Sequence, residues 1–142
     1  MKITFITSTQ DHIKLKLVSN ICTLLAKHIQ LPDHIEVEFK KMGMSSYGET
    51  IVDPRRVIKR IVLNSDLTAK ELFYPTIHEL VHVSQMYVGK LSMSRTGVYV
   101  WENKTYPVDP LKMSYKDYQQ LPWEVDAHKQ QMILGDKLLE NQ

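Results

Sequence analysis

Residues 78–82 read His-Glu-Leu-Val-His, and this short segment constrains the chain more than any other feature. On an α-helix, residues four apart lie one turn above each other, so His78 and His82 would share one face, about 6 Å apart along the axis. Apolar residues flank the segment at positions 77, 80, 81, 83, 86 and 88, which predicts a helix that is buried nearly all round. Because buried histidine pairs need a partner, a metal site is favoured over two core histidines satisfied by hydrogen bonds.

The residue types in this segment suit one zinc ion and a base beside it. Two imidazoles on one helix face can bind Zn²⁺. Glu79 would lie next to the metal and take a proton from a water molecule that the metal activates. Gln85 falls on the same face, seven residues after His78. It is expected either to pack under the site and hydrogen-bond a ligand or to be a buried amide satisfied by backbone.

Two protein ligands are too few for a tight zinc site, so a third is expected from another element. Residues 86–92 contain no histidine, which excludes the three-histidine pattern of metzincins and the related pattern of SprT-like proteases. Pro122 is suited to the first position of a helix that continues to Leu139, and Glu124 would lie in its first turn, where the helix dipole favours a carboxylate. Glu124 is therefore preferred as third ligand. His128, one turn further on, is either a competing ligand or a group that contacts the substrate.

The motif His78-Glu79-x-x-His82, followed after a gap by Trp123-Glu124-x-x-Ala127, resembles the gluzincin metallopeptidases in a very small form. The resemblance covers residues 68–139 and is closest to compact HExxH peptidases of bacteria and their phages. It implies that His78, His82 and Glu124 bind zinc and that Glu79 is the general base. One departure is clear, because thermolysin-like gluzincins carry an aspartate four residues after the glutamate ligand, where this chain has His128.

Hydrophobic periodicity predicts an α+β fold. Alternating or short apolar runs predict strands over residues 2–7, 35–40 and 57–63, and helical spacing predicts helices over residues 11–29, 68–88 and 122–139. The resemblance adds the expectation of a zincin-like arrangement, in which a small twisted sheet of about three to five strands packs with the N-terminal, HExxH and C-terminal helices. Residues 43–50 are expected to form a flexible loop or an irregular edge strand, and in gluzincins such a strand borders the cleft and pairs with substrate backbone.

Three local signals refine these elements. Thr68 to Glu71 is a capping-box pattern that begins the metal helix, and Gly89 is a natural stop. Pro75 predicts a kink or a fresh helix start before His78. Residues 99–106 are expected to form an aromatic β-hairpin whose strands are separated by Glu102-Asn103-Lys104.

Composition indicates one compact domain over residues 1–142, since 43% hydrophobic content can bury a single core. Eighteen basic and sixteen acidic residues give a net charge of +2, which argues against a nucleic-acid partner, and a short basic stretch at residues 55–60 is expected to be solvated. No apolar run is long enough to span a bilayer. With Cys22 as its single cysteine, the chain is expected to lie in the cytoplasm, or in the host cytoplasm if it is phage-encoded.

These features predict a zinc-dependent metallopeptidase acting on a peptide or protein, with Zn²⁺ as cofactor. A donor for the developing oxyanion is also needed; His128 has a positional argument, while Tyr99, Tyr106 and Arg95 are further candidates. The main alternative is a catalytically inactive zincin-like domain that binds zinc for stability or for contact with a partner protein. A zinc hydrolase acting on a non-peptide amide or a nucleotide is a third possibility.

Overall fold

Two small β-sheets and four α-helices make up the chain in the computed structural model, which describes residues 1–6, 11–43 and 46–140. The elements are, in chain order, β1 (Lys2–Ile6), α1 (His12–Leu25), β2 (His34–Lys40), β3 (Gly48–Thr50), β4 (Lys59–Asn64), α2 (Ala69–Tyr87), β5 (Leu91–Met93), β6 (Tyr99–Trp101), β7 (Lys104–Tyr106), α3 (Tyr115–Gln119) and α4 (Pro122–Glu140). The predicted α+β class is confirmed. Thr7, predicted to end the first strand, and residues 44–45 of the predicted loop lie outside the described residues.

The larger sheet has the strand order β1-β2-β4-β3. Strands β1, β2 and β4 are parallel, whereas β3 is antiparallel to β4 and forms one edge. The register pairs Phe5 with Val37 and Val37 with Ile61, so the apolar positions of the three parallel strands lie on one face. Four strands agree with the predicted three to five.

The main hydrophobic core lies between this sheet and the helices. Its buried residues come from β2, β4, α1, α2 and α4, and they include Ile35, Val37, Ile61, Leu63, Val18, Leu25, Ile77, Leu80, Ala127 and Leu138. Cys22 belongs to the same cluster, and burial raises the pKa of its thiol to about 12. The alternating pattern of residues 35–40 thus faces the helices with its apolar half.

Residues 43–50 were expected to form a loop or an irregular edge strand, and the last three of them form the edge strand β3. The buried Asn64 holds this segment, because its side-chain nitrogen donates to the carbonyl oxygens of Gly43 at 2.7 Å and Ser46 at 2.8 Å. Further along the chain, the basic residues Arg56 and Arg60 both bond Glu36 on the face of the sheet that carries its polar residues.

Helix α2 begins and ends where the sequence predicts. Thr68 caps its N-terminus in a complete capping box with Glu71. At the other end, Gly89 has a φ of +85°, and the amide of Lys90 donates to the carbonyl of Gln85, as in a Schellman motif. The prediction of a fresh helix start at Pro75 is wrong, since α2 runs unbroken through that residue.

The smaller sheet, β5-β6-β7, is antiparallel and has its own apolar cluster of Leu91, Trp101, Leu121 and Trp123. The predicted aromatic hairpin is present as β6 and β7, but Lys104 belongs to β7, so the turn has only two residues. Glu102 and Asn103 have φ values of 48° and 68°, as a tight type I′ hairpin turn requires. Strand β5 was not predicted, because three residues are too few to show a period.

Helix α4 packs against α2, and this contact requires a residue without a side chain at position 135. A Cβ atom there would overlap the ring atom Cε1 of Tyr74 on α2. Gly135 therefore allows the two helices to approach closely despite the usual cost of glycine within a helix. Within the described part of the chain, no helix combines the length and apolar composition needed to cross a bilayer.

We expect Gly135→Ala to destabilise the protein by about 1–2 kcal/mol, because the overpacking cost exceeds the gain of about 1 kcal/mol in helix propensity. In a Tyr74→Ala background the obstacle is gone, so the same substitution should be neutral or stabilising. Urea unfolding of the four proteins measures both effects. An equal effect of Gly135→Ala in the two backgrounds would show that the helices do not approach as described.

Candidate functional site

Three side chains of the kind that bind metals converge where α2 meets the start of α4. Glu124 Oε1 lies 3.1 Å from His78 Nε2, and Glu124 Oε2 lies 2.7 Å from His82 Nε2. One ligand atom from each of the three residues falls within 4.8 Å of the others. The structure therefore brings together the three residues that the sequence predicts as ligands, in a cluster that can hold a metal ion.

The rotation of α4 about its axis decides which of its side chains reach α2. Glu124 and Ala127 are buried, and Gln131 bonds His78, so the face at positions 124, 127 and 131 is turned toward α2. His128 lies off this face and is exposed. It is not part of the cluster, because positions 127 and 131 place the centre of the contact face to one side of Glu124, and position 128 lies to the other side.

Gln85 fixes the orientation of His82. Its side-chain nitrogen donates to the carbonyl of Trp123 at 3.0 Å and to Asp126 Oδ2 at 2.8 Å, both of which only accept hydrogen bonds. The amide oxygen must therefore face His82, where it lies 2.7 Å from Nδ1. Nδ1 carries a proton and Nε2 points into the cluster, as a metal ligand requires. Of the two expectations for Gln85, a contact with His82, one of the predicted ligands, is observed, and part of its amide is also satisfied by backbone.

Gln131 gives His78 the same support from α4. Its Oε1 lies 2.8 Å from His78 Nδ1, which leaves Nε2 of His78 directed at Glu124. Position 128 lacks the aspartate of thermolysin-like gluzincins, but His78 is not left without an orienting partner. The sequence contained no signal for this contact, because a glutamine seven residues after Glu124 is unremarkable until the helix packing is known.

Glu79 is buried beside the cluster and is held by the edge strand. Thr50 Oγ1 lies 2.8 Å from Glu79 Oε1 and 3.1 Å from the main-chain oxygen of Glu79. Position 79 is thus close to the three residues of the cluster, but its carboxylate bonds to β3 and is not part of the cluster. This is the position in which a carboxylate can exchange a proton with a group bound at the cluster.

A cavity of about 130 Å³ adjoins these residues. Its polar wall includes Glu79, His82 and Glu124, and its apolar wall includes Leu91 and Trp123. A larger groove of about 280 Å³ lies between α1, α2 and α4, and the described residues that line it carry no titratable side chain. The smaller cavity is therefore the one that contains acid–base chemistry.

Two tyrosines line the same cavity. Tyr99 stacks on Trp123 with ring centroids 5.1 Å apart. Tyr118, which the sequence analysis missed, precedes α4 and approaches Glu124. Burial and the negative charges of Glu124 and Glu79 raise the pKa of Tyr118, so its hydroxyl stays protonated and can donate a hydrogen bond. Of the other candidate donors, Tyr106 packs edge-on against Trp123, and Arg95 lies in an exposed turn.

The charges of the cluster stabilise each other. Burial alone would lower the pKa of His82, but its hydrogen bond to Glu124 and the negative charges of Glu124 and Glu79 raise it to about 9. Burial would raise the pKa of Glu124, but hydrogen bonds from His78 and His82 lower it to about 2. The pKa of His78 is likewise raised by Glu124 against the effect of burial. Burial raises the pKa of Glu79 although both histidines oppose the shift.

No family model, no curated protein and no solved structure matches this chain. Any function assigned to this chain therefore rests on the geometry of the site.

We expect the pairing of Glu124 with His82 to stabilise the metal-free protein most between pH 4.5 and 6.5. A histidine whose pKa is raised from 6.5 to about 9 contributes stability that is complete below pH 6.5 and is lost as the pH rises through 9. A carboxyl whose pKa is lowered from 4.5 to about 2 contributes stability that is present above pH 4.5 and is lost as the pH falls through 2. Urea unfolding in excess chelator at a series of pH values measures both limbs.

Glu124→Gln is the matched control, because it keeps the side-chain shape and removes the charge that raises the pKa of His82. In this variant, the loss of stability between pH 6.5 and 9 should be smaller than in the unaltered protein. Identical pH dependence of the two proteins would contradict the ion pair between Glu124 and His82.

Proposed function

We propose that this protein is a small gluzincin-like zinc metallopeptidase. The observation that carries the proposal is the position of Glu124 between the Nε2 atoms of His78 and His82, with the buried Glu79 next to them. Two histidines and a carboxylate are a known catalytic zinc set, which leaves a fourth position open for water or substrate. When bound, zinc supplies Lewis acidity that lowers the pKa of a water molecule and polarises a carbonyl group.

The donor atoms suit zinc better than a hard cation. Two imidazole nitrogens disfavour Ca²⁺ and Mg²⁺, which prefer oxygen ligands. Gln85 and Gln131 keep the proton of each ring on Nδ1, so Nε2 of His82 and of His78 can present a lone pair to the ion. A neighbouring carboxylate base distinguishes a hydrolytic site from other sites with two histidines and one carboxylate.

The side chains of the cavity have separate roles in the proposed reaction. Glu79 accepts the proton of the attacking water and returns it to the leaving amine. Tyr118 supplies a neutral hydroxyl at the cavity wall, suited to donate to the oxyanion that forms at the substrate carbonyl. The sequence favoured His128 as the donor to the oxyanion, but His128 is exposed and outside the cluster. Tyr118 therefore takes this role in the proposal.

The edge strand β3 supports an extended peptide as substrate. Ile51 donates to the carbonyl of Arg60, and Asn64 donates to the carbonyl of Tyr47, so odd-numbered residues of this segment bond β4. By the alternation of an antiparallel pair, the main-chain groups of Gly48 and Thr50 point away from β4. No strand of the described residues pairs with this edge, and a peptide that did so would lie across the cavity beside Glu79.

The arrangement of elements also agrees with the gluzincin resemblance. A mixed sheet ends in an antiparallel edge strand next to the helix that carries both histidines, and the third ligand comes from a later helix. A single zincin-like domain in the cytoplasm that acts on peptides or proteins, without a nucleic-acid or membrane partner, follows as part of the same proposal. The absence of an aspartate at position 128 would favour the inactive zinc-binding alternative, but Gln131 supplies an orienting partner for His78.

We expect untagged protein to contain about one zinc ion per chain, since three ligands and their orienting partners are in place. Native mass spectrometry together with elemental analysis for zinc, iron, manganese, cobalt and nickel measures the content and the identity. Glu124→Ala should lose the ion, whereas His128→Ala should keep it. Protein without bound zinc after supplementation would refute the proposal, as would loss of zinc in His128→Ala with retention in Glu124→Ala.

We expect Glu79→Gln to retain zinc and to lose hydrolysis by about 10²-fold or more, because the amide cannot accept the proton. Both proteins are loaded with zinc to the same content and incubated with a panel of denatured proteins and a peptide library. Mass spectrometry then measures the turnover of these substrates. Undiminished turnover in Glu79→Gln would exclude Glu79 as base. A zinc-loaded parent protein that cleaves nothing, and that unfolds when chelator is added, would favour the structural zinc domain.

A further inference from the structure

Thr50 contacts the base from a different element than the one that carries it. Its hydroxyl has one hydrogen and two acceptors within reach, Glu79 Oε1 at 2.8 Å and the main-chain oxygen of Glu79 at 3.1 Å. The carboxylate oxygen is closer and, when ionised, is the stronger acceptor. The hydrogen bond therefore fixes one oxygen of Glu79 and leaves the other free for a proton.

A glycine at position 48 makes this contact possible. Residues two apart on a strand point to the same side, so Gly48 and Thr50 both face Glu79. A Cβ atom at position 48 would lie 2.8 Å from the carbonyl oxygen of Val62 and 3.3 Å from Glu79 Cγ. Any larger residue would push β3 away from both β4 and α2. The missing side chain thus lets the edge strand approach the base closely enough for the Thr50 hydroxyl to bond it.

Thr50 has a second property, which concerns its backbone. Its main-chain groups point away from β4, toward the free edge along which a peptide can pair, while its side chain holds Glu79. The same residue therefore touches the base and borders the path of the substrate.

We propose that Thr50 is the positioning residue for the general base and links the orientation of Glu79 to the strand that receives the substrate. The inference rests on the proposed peptidase function for its catalytic part. The hydrogen bond itself is a property of the folded protein and can be tested without turnover.

The test compares Thr50→Val, which keeps the shape and removes the hydroxyl, with Thr50→Ser, which keeps the hydroxyl. Thr105→Val, at an exposed position of β7, is the matched control for a threonine-to-valine change elsewhere in the chain. All proteins are loaded with zinc to the same content before measurement.

In kinetics, Thr50→Val should lower kcat by about 10- to 100-fold with KM within about twofold, because only the base is misplaced. Thr50→Ser should restore most of the loss, and Thr105→Val should have no effect.

The second readout is the ¹³C resonance of the Glu79 side-chain carboxyl in zinc-loaded, glutamate-labelled protein, assigned by its loss in Glu79→Gln. Thr50→Val should shift or broaden this resonance, while Thr50→Ser and Thr105→Val should leave it in place. An unchanged resonance and unchanged kcat in Thr50→Val would overturn the proposal, as would a serine variant that behaves like valine. If zinc-loaded parent protein cleaves no substrate, the peptidase proposal fails, and the carboxyl resonance alone still decides whether Thr50 holds Glu79.

Discussion

The burial of the Glu124 carboxylate between two imidazoles is the interaction on which the rest of the site depends. Burying a charge is costly unless it is paired and hydrogen-bonded, and here both oxygens of Glu124 have a histidine partner. This pairing requires α4 to lie close to α2 in one rotation and one register. Gly135 provides the close approach further along the same helix, so the packing of apolar residues and the geometry of the cluster support each other.

Neutral amides orient the two histidines, whereas many metal sites use carboxylates for this purpose. Glu79 and Glu124 already place two acidic groups in the buried site, so additional carboxylates at the Nδ1 atoms would add negative charge to it. Gln85 and Gln131 fix the ring tautomers without that charge. The one further carboxylate of the network, Asp126, acts through Gln85, and it also accepts a hydrogen bond from Gln130. The glutamines thus orient the histidine rings without changing the net charge of the buried site.

Both sheets contribute residues to the wall of the cavity. The edge strand β3 borders the cavity next to Glu79, and the smaller sheet contributes Leu91 and Tyr99. Trp123, one residue before Glu124, stacks on Tyr99 of the smaller sheet. The apolar cluster under the smaller sheet therefore holds the start of α4, and with it the third member of the cluster, in place.

The sequence by itself determined what depends on contacts within one element. Helix α2, its caps, the shared face of the two histidines and the alternating strand β2 follow from periods of 3.6 and 2 residues, and a first-turn glutamate in α4 follows from the helix start at Pro122. Tertiary structure alone decided the contacts between elements, namely Gln131 on His78, Thr50 on Glu79, Tyr118 at the cavity and the outward position of His128. These depend on the rotation of α4 and the approach of β3, which packing of the whole core sets and no local pattern records.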